Sequence, residues 1–366
     1  MLARIAEAEA KAQANRAAIR GFLIDFGQTP ARGERLIPQF GSFLERYGDL
    51  MREAVRRTNL PADLEAERAR ARAAIEDGRL DEADAILRGI GARLHADREA
   101  REKRIAEERE AADQERRDEA AILTERAQIA ATRLRYREAA DLYGEAASVL
   151  PEEDWEVRGN VVFLRGVRLC DLGNEFGDND ALHEAVAAYD AALNELTRDR
   201  SRDGWARTQN NRGNALLTLG ERSGNEDMLN EAVRSYDNAL LEHTRERVPL
   251  EWARTHNNRG GALQTLGQRS ENEDMLNEAV RNYDQALLER TRERVPLQWA
   301  LTTANRAGAF EVLAAMRGDA VAAREAVEAR REVLALFEAY GATAYVEKER
   351  RNLARAEALL ALLSEG

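Results

Sequence analysis

The segment WARTQNNRGNALLTLGERSGNEDMLNEAVRSYDNALLEHTRERVPLE, residues 205–251, is followed at once by WARTHNNRGGALQTLGQRSENEDMLNEAVRNYDQALLERTRERVPLQ, residues 252–298. Each segment is 47 residues long, and the two are identical at 38 positions. A unit of this length cannot bury its own apolar surface, so a tandem repeat of such units indicates a stacked array.

Two diverged copies flank this pair at the same spacing. The copy that begins at Trp299 places Asn305, Ala326 and Leu334 where its predecessor has Asn258, Ala279 and Leu287. An earlier copy has Gly166, Gly173, Ala185, Tyr189, Ala192 and Leu193, each 47 residues before Gly213, Gly220, Ala232, Tyr236, Ala239 and Leu240. We therefore expect an array of at least four units.

Each unit contains two helical patterns. The first, helix A, is predicted to run from Trp205 to Leu219 and to end at Gly220, since glycine readily adopts the left-handed conformation that closes a helix. The second, helix B, has apolar residues three and four positions apart, the spacing of one helical face. These residues are Leu229, Ala232, Val233, Tyr236, Ala239 and Leu240. The sequence thus predicts an all-α solenoid of antiparallel helix pairs.

These motifs resemble the tetratricopeptide repeat (TPR) family. Gly213 and Gly220 match its two helix A glycines, and Ala232, Tyr236 and Ala239 match its helix B pattern. The period of 47 exceeds the family's usual value of about 34 residues, with extra residues at 221–227 and 245–251. The longer period is similar to that of long-repeat arrays of bacterial proteins, which often accompany signalling or defence effector domains. The resemblance implies a right-handed superhelix.

The resemblance also implies a concave groove lined by helix A. Its groove positions correspond here to Arg207, Asn210, Asn214 and Leu217, then Arg254, Asn257, Gly261 and Gln264, then Leu301, Ala304, Gly308 and Glu311. Asparagine amides can pair with a peptide backbone, and arginine can bind an acidic side chain or a C-terminal carboxylate. The expected partner is therefore a protein or peptide that carries such a group.

Other roles for these polar residues remain open. Arg207 could pair within its own repeat, and Asn211 and Asn258 are expected to bind neighbouring backbone. Arginine recurs at residues 212, 259 and 306, a position that is usually apolar in the family. A buried guanidinium needs a partner, so we predict ion pairs between repeats with Asp237 and Asp284.

The remainder of the chain suggests further helical segments. We expect an N-terminal helical cap at 1–62, degenerate TPR-like units with a long charged helix (about 95–120) at 63–151, the long-period array at 152–340, and a C-terminal capping helix at 341–366. Opposite charges three and four residues apart support a solvated helix in the charged stretch.

Composition excludes several classes of function. The net charge of −12 argues against a nucleic-acid partner, which requires a broad basic surface. No stretch approaches the roughly 20 apolar residues that cross a bilayer, and the N-terminus lacks a secretory pattern. A single cysteine, Cys170, suits a reducing compartment, so a cytoplasmic location without membrane partners is expected.

No catalytic or metal-binding pattern stands out. The histidines His95, His183, His243 and His256 lack metal-ligand spacing, and we interpret them as surface substitutions. Cys170 aligns with Leu217, which favours a packed thiol over a nucleophile. We therefore expect a non-catalytic protein-interaction scaffold without a cofactor. The alternatives are a sensor or regulatory module for an effector enzyme, and a self-assembling structural protein that forms homo-oligomers.

Overall fold

A computed structural model describes residues 36–365, apart from the side chains of residues 36–41 and 44. Residues 1–35 of the predicted N-terminal cap lie outside the described residues. The described part folds into 13 α-helices and contains no strand. The helices are α1 (Leu36–Ala54), α2 (Ala62–Glu76), α3 (Leu80–Thr132), α4 (Tyr136–Val149), α5 (Trp155–Phe176), α6 (Asn179–Glu195), α7 (Arg202–Ser223), α8 (Glu226–Leu240), α9 (Pro249–Arg269), α10 (Glu273–Leu287), α11 (Pro296–Arg317), α12 (Ala320–Ala339) and α13 (Thr343–Glu365).

The described residues fall into two compact units, one that ends at residue 111 and one that begins at residue 112. In the first unit, Tyr47 of α1 packs with Ala74 and Ile75 of α2 and with Ala83 of α3. The Tyr47 hydroxyl donates to the Ile75 carbonyl oxygen at 2.5 Å, so this buried polar group is satisfied. The predicted charged helix is part of α3, which is continuous over 53 residues.

The second unit is an α-solenoid whose period is exact. Helix A of successive repeats is α5, α7, α9 and α11, and these helices begin at residues 155, 202, 249 and 296. Helix B is α6, α8, α10 and α12, which begin at residues 179, 226, 273 and 320. Each helix contacts the next along the chain, and each helix A also contacts the helix A of the next repeat. The predicted all-α solenoid of TPR-like helix pairs is confirmed.

Glycines allow the two helices of a repeat to pack closely. A Cβ atom on Gly213 would lie 2.7 Å from the Tyr236 ring, and one on Gly220 would lie 2.7 Å from the Leu229 side chain. The predicted helix end at Gly220 is wrong, because this glycine is buried inside α7. The helix ends instead at Ser223, and Gly224 closes it with a φ of +75°.

Arginines on helix A connect each repeat to the one before it. Arg259 donates through Nε to Asp237 Oδ1 and through Nη1 to Glu278 Oε1, both at 2.6 Å. Arg306 Nε lies 2.6 Å from Asp284 Oδ1, which is the ion pair at the equivalent position of the next repeat. The predicted inter-repeat ion pairs are thus confirmed, and the half-buried guanidinium of Arg259 has two carboxylates to compensate it.

The loops after helix B provide a second connection between repeats. The Arg245 guanidinium lies over the Trp252 ring at 5.8 Å and donates to Glu289 Oε1 of the next repeat at 2.7 Å. Arg294 also binds Glu289, and the two guanidinium groups hold the pKa of this carboxyl below its usual value. The residues between helix pairs, which lengthen the period, are therefore ordered by specific contacts.

Helix α13 begins 47 residues after α11 and so takes the place of the next helix A. Ala354 and Ala361 occupy the positions of Gly213 and Gly220 and are exposed, because the described residues contain no helix B to cover them. The predicted C-terminal cap and the predicted domain boundaries stay predictions.

Candidate functional site

The face formed by successive A helices contains two cavities. We call the first the α7 cavity; it has a volume of about 570 Å³ and lies among α5, α7 and α9. We call the second the α11 cavity; it has a volume of about 970 Å³ and lies among α9, α11, α12 and α13. Most of the groove residues predicted from the sequence lie on this face: Arg207 and Arg254 line the α7 cavity, and Gln264, Leu301, Ala304, Gly308 and Glu311 line the α11 cavity.

Arg207 is a cation without an acidic partner among the described residues. Its Nη2 donates to Asn160 Oδ1 of the preceding repeat at 2.6 Å, and its guanidinium lies over the Phe163 ring at 4.3 Å. Partial burial and the nearby charge of Arg254 lower the pKa of Arg207. The alternative of a pair within its own repeat is therefore not what the structure shows.

Arg254 reaches the same cavity from the next repeat. Its Nη2 lies 2.5 Å from Glu251 Oε2, and the side chain is 38% exposed. It is therefore partly neutralised within its own repeat, whereas Arg207 is not. Of the other carboxylates that line the cavity, Asp203 is paired with Arg247 at 3.0 Å, and the exposed Glu156 makes no ion pair with a described residue. Arg207 is therefore the guanidinium here that can bind an anionic group of a ligand.

The asparagines mainly bind one another across repeats. Asn258 Nδ2 donates to Asn214 Oδ1 at 3.0 Å, and Asn305 Nδ2 donates to Asn257 Oδ1 at 3.2 Å. Asn211 binds the Arg207 carbonyl at 2.9 Å, as expected of a backbone contact. The expectation that Asn258 binds backbone is wrong, since its partners are side chains.

Asn210 needs a correction. Its side chain is fully buried, because it lies on the side of α7 that packs against neighbouring helices, and a ligand in the groove cannot reach it. Its Oδ1 accepts from Asn258 Nδ2 at 3.4 Å, while its Nδ2 is buried without a partner among the described residues. We remove Asn210 from the proposed contacts.

Tyrosines of helix B close the floor of the groove in the first three repeats. The Tyr236 hydroxyl donates to Asn214 Oδ1 and the Tyr283 hydroxyl to Gln264 Oε1, each at 2.8 Å. The Tyr189 hydroxyl meets Cys170 Sγ at 3.6 Å. Burial raises the pKa of Cys170 to about 11, so this packed thiol is protonated at neutral pH.

The fourth repeat departs from this arrangement. Arg330 stands where its predecessors have tyrosine, and its side chain is only 4% exposed. Its Nε binds Glu311, and its Nη1 donates to Glu349 Oε1 of α13 at 2.9 Å. Helix α11 contributes the small residues Ala304 and Gly308 to the lining of the α11 cavity.

Two histidines differ from the surface positions expected for them. His243 is buried, with Nδ1 3.0 Å from Thr255 Oγ1. His256 is half-buried between Asn282, at 2.8 Å from Nδ1, and the Trp252 ring. Burial lowers the pKa of both rings. Within residues 36–365, no cluster of three or more His, Cys, Asp or Glu side chains could hold a metal ion.

Comparisons with known proteins place the chain beside helical repeat structures. The TPR2AB domain of yeast Sti1 in complex with pHSP90 is 16% identical with a TM-score of 0.27, and it covers 81% of this chain and 99% of its own. The designed helical repeat protein DHR64 is 18% identical with a TM-score of 0.21, and it covers 58% of this chain and 99% of its own. No protein-family model and no curated protein matches the sequence. None of the helices in the described part has the length and apolar character needed to span a membrane.

Proposed function

We propose that this TPR-like helical repeat protein is a non-catalytic scaffold that binds an extended peptide segment of a partner protein along its helix A face. The observation that carries this proposal is the α7 cavity, which Arg207 lines without an ion pair to any described residue. The Arg207 guanidinium has unused donors, and the planar guanidinium group matches the geometry of a carboxylate, so the segment presents an acidic side chain or a C-terminal carboxylate there.

The amides beside the cavity support an extended ligand. Asn211 lines the α7 cavity, and Asn214 and Asn257 are half-buried on the same face in successive repeats. Asn211 Oδ1 and Asn214 Nδ2 have no hydrogen-bond partner among the described residues, so this acceptor and this donor are available to the peptide groups of an extended backbone. The amide of Asn257 is already paired through both its oxygen and its nitrogen. Recognition would therefore combine sequence-independent backbone contacts with a charge contact at Arg207 and Arg254.

The double variant Arg207→Glu with Arg254→Glu tests the proposal. We expect its affinity for a captured partner to fall at least tenfold, because a carboxylate replaces each cation that faces the ligand. Partners would be captured from the source cell's lysate and identified by mass spectrometry, and a synthetic peptide from the partner should then compete. Circular dichroism would verify that helical content is unchanged.

A matched control is available on helix B. Arg234 and Arg281 are also 47 residues apart, are exposed, and make no ion pair with any described residue. The variant Arg234→Glu with Arg281→Glu carries the same charge change on a different face and should retain capture. Equal capture by all three proteins would contradict the proposed face.

A further inference from the structure

The α11 cavity has an acidic floor. Arg330 lies between two carboxylates, those of Glu311 and Glu349, whose side chains are 13% and 4% exposed. One guanidinium neutralises one carboxylate, so this buried triad has a net charge of −1. Burying an uncompensated charge is costly, and a cation placed at the triad would remove that cost.

The other cations of the cavity do not supply this compensation. Lys348 and Arg355 line the cavity but are exposed on α13, where water screens their charge. Arg355 Nη2 donates to Asn352 Oδ1 at 3.3 Å and makes no ion pair with a described residue. Glu273 is already neutralised by Arg317, whose Nε lies 2.8 Å from Oε2.

Glu271, a residue with a strained backbone, adds a further carboxylate at the rim of the α11 cavity. Glu271 lines the cavity and has a φ of +49°, whereas Gly177, Gly224 and Gly318 occupy the equivalent position in the other repeats. Its carboxylate makes no ion pair among the described residues. A non-glycine residue in this conformation costs free energy and is found preferentially at functional sites.

We propose that the α11 cavity binds a basic side chain, lysine or arginine, of the partner segment. The cation would lie beside Glu311, the more exposed of the two carboxylates, and would compensate the excess negative charge of the triad. This inference rests on the proposed function, because the basic residue belongs to the same bound segment. The segment would thus combine an acidic group at the α7 cavity with a basic side chain at the α11 cavity.

Methionine methyl groups provide a local readout. Met316 lines the α11 cavity, whereas Met228 lies on α8. The full chain would be labelled with ¹³C-methyl methionine and titrated with the peptide acetyl-Gly-Gly-Arg-Gly-Gly-amide, with its lysine counterpart, and with a citrulline counterpart that has the shape of arginine without its charge. We expect saturable shifts of Met316, but not of Met228, with the two charged peptides only.

Two variants test which carboxylate is responsible. Glu311→Gln should weaken binding of the arginine peptide at least tenfold, because it removes the excess negative charge. Glu273→Gln is the matched control on the same cavity and should leave the affinity unchanged, since Arg317 neutralises that carboxylate. If Glu311→Gln fails to fold, Lys348→Glu provides an independent test, because a carboxylate added at the rim should tighten binding.

Several results would overturn this inference. They are equal binding of the citrulline peptide, an unchanged affinity of Glu311→Gln, or no saturable shift of Met316 at millimolar peptide. If the Met316 methyl signal does not shift while capture of the partner still depends on Arg207 and Arg254, only this inference fails. If capture is independent of those arginines while Met316 responds, the proposed function fails as stated.

Discussion

Glu271 occupies a backbone conformation that suits glycine. Its φ is +49° at the turn between α9 and α10, where the near-identical preceding repeat has Gly224 at +75°. The left-handed conformation costs an L-residue about 1–2 kcal/mol, and the greater freedom of glycine in the unfolded chain offsets part of that cost. We expect Glu271→Gly to raise the free energy of unfolding by about 0.5–1 kcal/mol.

Urea denaturation of Glu271→Gly and of the converse variant, Gly224→Glu, would measure this effect. The converse should destabilise the protein, since it introduces the same strain into the preceding repeat. A Glu271→Gly protein no more stable than the wild type would show that the carboxylate stabilises the turn. If the inference about the α11 cavity holds, the stabilised variant should bind the arginine peptide more weakly.

At the scale of helix pairing, Gly220 and Leu229 are matched in size. A Cβ atom on Gly220 would lie 2.7 Å from Leu229. In the fourth repeat Ala314 and Ala323 occupy the positions of this glycine and this leucine. We expect Gly220→Ala alone to cost about 1–3 kcal/mol, because it overpacks the contact. In a Leu229→Ala background the same change should cost far less, since the added methyl group fills vacated space.

A double-mutant cycle by chemical denaturation would give the coupling between these two residues. The single variants and the double variant would be compared with the wild type in one denaturant, with helical content as the probe. An equal cost of Gly220→Ala in both backgrounds would mean that the helices shift apart to accommodate the methyl group, and that the contact does not set their distance.

The repeat period, the helix pairs and the Arg259 ion pair could be predicted from the sequence, because each is a local pattern or a residue that recurs at a fixed spacing. The end of helix A could not be predicted, because two glycines lie close together there. Gly220 packs against Leu229 and Gly224 closes the helix, and only the structure shows which glycine has which role. Asn210 and Asn257 share one register position, yet Asn210 is fully buried and Asn257 is half-buried. The sequence pattern gives the spacing of such residues but not how deeply each side chain is buried.

The acidic floor of the α11 cavity also required the structure. Arg330, Glu311 and Glu349 come from three different helices, and Glu349 belongs to a segment expected only to cap the array. The loss of tyrosine at residue 330 was a signal available in the alignment of the repeats. A buried cation needs acidic partners, so the change from tyrosine to arginine at residue 330 predicts carboxylates on the neighbouring helices.

For the molecule as a whole, the exact period predicts that one repeat can be removed. Deletion of residues 252–298 joins residue 251 to Trp299, and it lets the fourth repeat pack on a surface that is nearly identical to its present neighbour. Because each repeat contacts only its neighbours, the shortened chain should retain its helical content per residue and should unfold at a lower temperature.

Circular dichroism and small-angle scattering would test this expectation, with the full chain as the control. A lower helical content per residue, or a shortened chain that aggregates, would indicate interactions that extend beyond adjacent repeats. Because Glu311, Arg330 and Glu349 lie outside the deleted segment, the shortened chain should still bind the arginine peptide.

The constant spacing of the helix A starts, at residues 202, 249 and 296, also bears on how the gene can change. Unequal recombination between coding segments of whole-repeat length would insert or remove a unit without shifting the reading frame or disturbing a contact between neighbours. Array length, and with it the number of ligand residues that the protein can contact, is therefore a heritable trait that can change in a single genetic event. Lineages of this gene should accordingly differ by whole units.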